Sequence, residues 1–358
     1  MTGLLYREDY DAVRDRLTNW WNGADIGRPA MLLTAPRERP LEDIPALPRP
    51  RGWVTDYSTR DYAYRLNLTQ RACVNTHYLG ETLPKVAPDL APGCVALYLG
   101  CHGVETDGTV WMEPCIDDPD TARFAFDPDN RYWQFTLRLA RDQLRLAKGK
   151  FALEFPDLIE GLDTLASMRG TEQLLFDLVD RPDWVREALD HLNTLYFAYY
   201  DPLYELIKDD RGGSIFWCWA PGRMAKLQCD CSAMISVASF RDFMLPVLRN
   251  LTQRLDYCMY HWDGPGAIQH HDALLELPRL NMLQWTPGDG HEPVADRRWW
   301  PLFHKTIEAG KKVYIGGLNL DDLRSLRREF GHRLNQFLLG VSCKSLDDAD
   351  RAMQIVSA

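Results

Sequence analysis

Residues 257–266 read YCMYHWDGPG. An apolar run, Tyr257–Tyr260, leads into His261 and Asp263, and Gly-Pro-Gly then turns the chain. Side chains alternate along an extended strand, so His261 and Asp263 point to the same side. A short apolar run that delivers polar groups at its C-terminal end is what a buried parallel strand predicts. Seven further runs have the same character: Ala30–Ala35, Cys94–Gly100, Phe151–Phe155, Ser214–Ala220, Leu280–Trp285, Val313–Gly317 and Phe337–Ser342. The segments between them suit crossover helices, most clearly Leu158–Ser167, Asp183–Lys208, Ala238–Leu255, Pro301–Ala309, Asp321–Arg333 and Ser345–Val356. Alternating strand and helix implies an α/β fold with a parallel sheet. Eight strands favour closure into a (β/α)8 TIM barrel, and no GxGxxG follows any of them, so nothing supports a dinucleotide fold.

On this reading residues 1–358 form one barrel domain. Residues 1–90 are an N-terminal helical and irregular extension that includes the first strand, with helices over about 4–24 and 59–80. Residues 91–358 supply the rest, and insertions after Gly100 and before Ser214 lie over the C-terminal face. The length of 358 residues is ample for a large core. Lys+Arg number 41 and Asp+Glu 51, a net charge of −10. That balance disfavours nucleic acid, which needs a positive field, and anionic lipid. No apolar run reaches the length of about 18 residues that a membrane helix needs. Charge interrupts the N-terminal apolar stretch, unlike a secretory signal. Nine cysteines, an odd number scattered along the chain, read as reduced rather than as a disulfide framework. Together these predict a cytoplasmic protein.

A barrel carries its chemistry at the C-terminal ends of its strands. The residues predicted there are Arg37, Cys101, His102, Glu154, Asp157, Trp217, Trp219, His261, Asp263, Gln284, Trp285 and Cys343. His261 and Asp263 suit either a divalent metal or a hydrogen-bonded acid/base pair. Cys343, ending the last strand, would complete a His/Asp/Cys set across a closed ring. Asp230, in LQCDCSAMIS (227–236), is either a helix cap or a pocket residue that accepts a substrate proton. Glu154, before Pro156, is a general base, a metal ligand or a substrate contact. Trp217, Trp219 and Trp285, with Gln284 and His102, would line a substrate pocket. Twelve tryptophans are many to bury without N–H partners.

Several ordered blocks resemble the uroporphyrinogen decarboxylase superfamily, above all its corrinoid-methyltransferase-like members. They are LYLG (97–100), TVWMEP (109–114), PDLIEGLDTLASMRG (156–170), QCDCSAMIS (228–236), YHWDGPGAI (260–268), LQWTPGDG (283–290) and AGKKVYI (309–315), spanning about residues 90–345. The resemblance implies a (β/α)8 barrel. TAPRERP (34–40) stands where the decarboxylase carries its arginine-rich RQAGRY-type motif and does not match it, which disfavours porphyrinogen decarboxylation. The similar methyltransferases hold zinc with a His-x-Cys pair and a late Cys, and zinc makes an acceptor thiolate nucleophilic. Position by position, His261 takes the His place, Asp263 stands for the first Cys, Cys343 is the late Cys, and Gln284 lies about where a related barrel has Glu.

The resemblance thus implies methyl transfer or demethylation between a small substrate or corrinoid protein and an acceptor. The site would hold zinc or another divalent ion at His261, Asp263 and Cys343, with Asp230 and Glu154 serving the substrate. Cobalamin would arrive on a partner protein. Two other readings stay open: a metal-free decarboxylase or lyase using Glu154, Asp230 and His261, and a barrel that only binds a ligand.

Overall fold

A computed structural model describes residues 3–357. Thirteen strands occur among them: β1 (Ala30–Pro36), β2 (Thr76–Gly80), β3 (Lys85–Val86), β4 (His102–Thr106), β5 (Thr109–Glu113), β6 (Ala152–Leu153), β7 (Ser214–Phe216), β8 (Cys218–Ala220), β9 (Met224–Gln228), β10 (Tyr257–Asp263), β11 (Met282–Thr286), β12 (Lys312–Ile315) and β13 (Phe337–Ser342). Seven form one sheet in the order β2-β1-β13-β12-β11-β10-β9. Every pairing in it is parallel except β1 with β2. The α/β character and the parallel core of the sheet therefore agree with the sequence pattern.

Closure into an eight-stranded ring does not appear: the sheet ends at β2 and β9, and β3–β6, β4–β5 and β7–β8 are separate two-stranded ladders. The reason is local. β3 lies between Pro84 and Pro88, and β6 runs into Pro156, so backbone donors are missing where the ladders would lengthen. The short pair still touches its neighbours. Glu154 N–H donates to Val86 O (2.9 Å) and Phe155 N–H to Ile215 O (2.9 Å). The expected strand 214–220 is a hairpin that folds at Trp217, whose φ is +65°.

Two more elements differ from expectation. CVALY (94–98) is a helix with every residue buried, because an apolar run that short is compatible with a helix buried on all sides. The helix expected over 59–80 ends at Ala72, and Thr76–Gly80 pairs antiparallel with β1 instead.

The later helices stand close to their predicted places: Pro182–Ile207, Leu245–Arg254, Trp300–Glu308, Leu320–Phe330 and Leu346–Ser357. Their starts follow ordinary chemistry. Asn319 caps Leu320–Phe330 in a reciprocal box with Asp322, and Asn130 caps Arg131–Ala147 through Tyr132 N–H and Trp133 N–H. One cluster of buried apolar residues runs from Tyr6 to Val356. Among the described residues no helix is long and apolar enough to cross a membrane.

Many tryptophans belong to this core. Trp262 and Trp285 sit side by side on β10 and β11, facing the helices, with ring centroids 4.9 Å apart, and Trp285 packs on Trp299 at 5.1 Å. Parity dictates this: when His261 and Gln284 face one side of the sheet, their neighbours Trp262 and Trp285 face the other.

Candidate functional site

β9, β10 and β11 present a row of polar side chains on one face. Gln228, His261 and Gln284 are in register, with Lys226 two residues before Gln228 and Asp263 two after His261. β9 was absent from the sequence expectation because Lys226 and Gln228 interrupt its apolar pattern, yet all five of its residues are buried.

Facing this row is PDLIEGLD (156–163), which brings a carboxylate at every third residue: Asp157, Glu160 and Asp163. Lys226 is fully buried and pairs with Asp157 Oδ1 at 2.5 Å. Its Nζ also donates to Gln228 Oε1 and lies 5.0 Å from the centre of the Trp217 ring. Glu160 Oε1 accepts Gln228 N–H at 2.7 Å, while Glu160 Oε2 is buried with no hydrogen-bond partner. Burial, against the pull of Lys226, holds the Glu160 carboxyl well above its ordinary pKa. Asp163 accepts Asp230 N–H (2.7 Å) and Cys231 N–H (2.9 Å), and so fixes the turn that follows β9.

That turn sets Asp230 beside the row. One ligand atom from each of Asp230, His261 and Asp263 lies within 4.8 Å of the other two. Zinc bonds of about 2.0–2.2 Å leave ligand atoms at most roughly 4.4 Å apart, so small side-chain rotations would seat an ion. Burial pushes Asp230 up to about 7, helped by the charges of Asp163 and Asp263 and opposed by Lys226. Burial also lowers His261, which favours its neutral, ligating form. Asp263 Oδ1 is buried with no hydrogen-bond partner.

The imidazole is oriented by Gln284. Gln284 Nε2 donates to Trp285 O (3.1 Å) and Thr286 Oγ1 (2.8 Å), which turns Oε1 toward His261 Nδ1. Nδ1 then carries the hydrogen and Nε2 keeps a free lone pair. Gln284 thus sets the tautomer, a different role from the pocket contact expected of it.

A cavity of about 440 Å³ reaches the cluster at Asp230; His261 and Asp263 are not among its walls. Asp163, Asp230, Ser167, Trp111, Met112 and Met234 are among its walls. Trp217 lies on another side, its ring edge-on to His261 at 5.1 Å.

The other expected residues lie elsewhere. Glu154 shapes the Trp217 corner: Oε2 accepts Trp217 N–H at 3.2 Å and pairs with Lys85, whose Nζ also donates to Trp217 O at 2.6 Å. Cys343 is outside the three-donor cluster; its N–H donates to Thr34 O at 2.7 Å, and β11 and β12 separate its strand, β13, from β10. Among the described residues the three potential donors that converge are Asp230, His261 and Asp263, without Cys343. Trp219 is core, its Nε1–H donating to Asp209 Oδ2 at 2.9 Å, with no room for even a Cβ at Gly213 beneath the ring. Trp285 faces the helices, as described. His102, exposed, starts β4 and meets Arg131 at 2.6 Å at the edge of a second cavity of about 330 Å³.

The chain matches no protein-family model and no curated protein sequence.

Proposed function

We propose that this chain is a divalent-metal α/β enzyme related to the uroporphyrinogen decarboxylase superfamily, and that it transfers a methyl group to or from a small substrate. Asp230, His261 through Nε2, and Asp263 would hold the ion. The observation that carries the reading is the convergence of these three donors within 4.8 Å, with the Asp263 oxygen left unpartnered in the protein. An oxygen-rich set with one imidazole suits zinc or a harder divalent ion, and it lacks the thiolates of a sulfur-rich site. Bound there, the ion supplies Lewis-acid activation of a substrate oxygen or sulfur.

The protein's own residues do the rest. Gln284 holds His261 in its ligating tautomer. Trp111, Met112 and Met234 give the cavity an apolar, polarizable wall that excludes water beside a small substrate. Trp217 closes the side next to His261. Lys226 balances part of the surrounding negative charge. A methyl-carrying corrinoid would come on a separate partner protein at the same mouth.

Elemental analysis of the purified protein tests the metal. Stoichiometric divalent metal in the wild type and in Cys343→Ser, with loss in His261→Ala and Asp263→Asn, is expected. Equal metal content in all four would overturn the assignment.

A second reading has one observation behind it. Asp230, pushed up to about 7, is poised for proton transfer, which suits a metal-free decarboxylase or lyase. Activity that survives chelation yet disappears in Asp230→Asn would select it.

A further inference from the structure

Both feet of the β4–β5 hairpin are cysteines. Cys101 precedes β4, Cys115 follows β5, and their sulfurs are 3.6 Å apart. Both are anchored to the end of the helix Gly161–Arg169. Cys115 N–H and Ile116 N–H each donate to Met168 O at 2.8 Å, and Cys101 Sγ lies 3.5 Å from Ser167 O. Cys101 is buried, whereas Cys115 is, among the described residues, the one exposed cysteine of the chain.

We propose that Cys101 and Cys115 form a redox-modification site, in which hydrogen peroxide oxidises the dithiol to a disulfide that clamps the hairpin. Reaching an S–S bond of about 2.05 Å asks the sulfurs to approach by roughly 1.5 Å, which rotation of the exposed Cys115 side chain supplies. The hydrogen bond from Cys101 lowers the Cys115 thiol, making it the better thiolate, and the same contact with burial holds Cys101 up.

In the first step the Cys115 thiolate attacks a peroxide oxygen. The O–O bond breaks, a sulfenic acid forms, and the departing hydroxide is protonated to water. In the second the Cys101 sulfur attacks the sulfenyl sulfur. An S–S bond forms, the S–O bond breaks, and the hydroxide leaves as water with the Cys101 proton. Two thiols and one hydrogen peroxide become one disulfide and two waters, a two-electron oxidation.

The clamp matters because of what the hairpin carries. Trp111 and Met112 wall the cavity that reaches Asp163 and Asp230, and His102, Gly103 and Glu105 line the second cavity. The proposal does not depend on a metal at His261.

The test uses the full chain treated with hydrogen peroxide, alkylated, and cleaved after Glu105, which separates the two cysteines. The expected product is a Cys101–Cys115 cross-link, two hydrogens lighter and reversed by dithiothreitol. Before oxidation Cys115 should alkylate at least about 10-fold faster than the buried thiols. Cys101→Ser should stop at a dimedone-reactive sulfenic acid on Cys115. Sulfinic acid at Cys115 without a cross-link, a Cys115–Cys115 bond between chains, or an unreactive Cys115 would each overturn the proposal.

Discussion

Gln284 Oε1 faces Nδ1 of His261 from the in-register position on the neighbouring strand, and both hydrogens of the Gln284 amide are committed to Trp285 O and Thr286 Oγ1. The amide therefore cannot flip without losing two bonds, and the imidazole is held with Nε2 free. Gln284→Ala should weaken divalent-metal binding about 10–100-fold, the usual cost of losing such an orienting partner. Competition with a metallochromic chelator measures it. Unchanged affinity would mean that His261 is held by something other than Gln284.

Glu154 supports the Trp217 corner. Trp217 at φ +65° occupies a conformation that costs a non-glycine residue roughly 1–2 kcal/mol. Glu154 and Lys85 hold its N–H and C=O. Glu154→Ala should lower stability by about 2–3 kcal/mol, because it frees the turn and leaves Lys85 without its partner. Metal content should be unchanged. Urea denaturation and elemental analysis of the same sample separate a scaffold role from a ligand role.

Lys226 is fully buried and faces Asp157, Glu160 and Asp230. Lys226→Met keeps the length of the chain but removes the cation. Breaking a buried pair costs about 3–5 kcal/mol, and the Glu160 and Asp230 carboxyls should be pushed further upward. Adding Asp157→Asn should recover part of the loss. A double-mutant cycle by urea denaturation gives the coupling.

Glu81 predicts a pH dependence. Its side chain is fully buried, and burial alone would raise its pKa. Arg28, 2.8 Å from both oxygens, Met31 N–H at 2.8 Å and Arg16 at 3.1 Å outweigh that and lower it. A carboxyl lowered by folding contributes stability above its unfolded pKa near 4.5, and loses it as pH falls through the lower folded value. Glu81→Gln should cost about 3–5 kcal/mol at neutral pH. The gap to wild type should narrow as the pH is taken below 4.5 in denaturant titrations.

The order and spacing of these elements show what a sequence makes legible. β10, β11, β12, β13 and β1 are continuous apolar runs and stand within a residue or two of their expected places. β9 was hidden because its buried residues include Lys226 and Gln228, which are legible only beside Asp157 and Glu160. CVALY looked like a strand since five apolar residues carry no period. At the site, the alternation of His261 and Asp263 was readable; Asp230 was a candidate from its own stretch, but the strand it follows is β9, which the apolar pattern hides. Asp163, Glu160 and Lys226 were not, although the three-residue spacing of acids in PDLIEGLD was the available signal. Cys343 would meet His261 only if a closed ring brought distant strand ends together, and the sheet is open. Trp285 was assigned to the pocket beside Gln284, although adjacent strand residues face opposite ways.

The uneven sheet gives the molecule a gradient of rigidity. From β9 round to β1 the parallel ladder is continuous, so its central amides should exchange with deuterium only on the slowest, cooperative opening. β3 and β6 pair only with each other, in one two-residue ladder, and meet the hairpin 214–220 through Phe155 N–H to Ile215 O, so their amides should exchange through smaller openings. The β4–β5 hairpin that bears Trp111 and Met112 likewise stands outside the continuous ladder, so a ligand could be admitted there without disturbing the three donors beside β9 and β10.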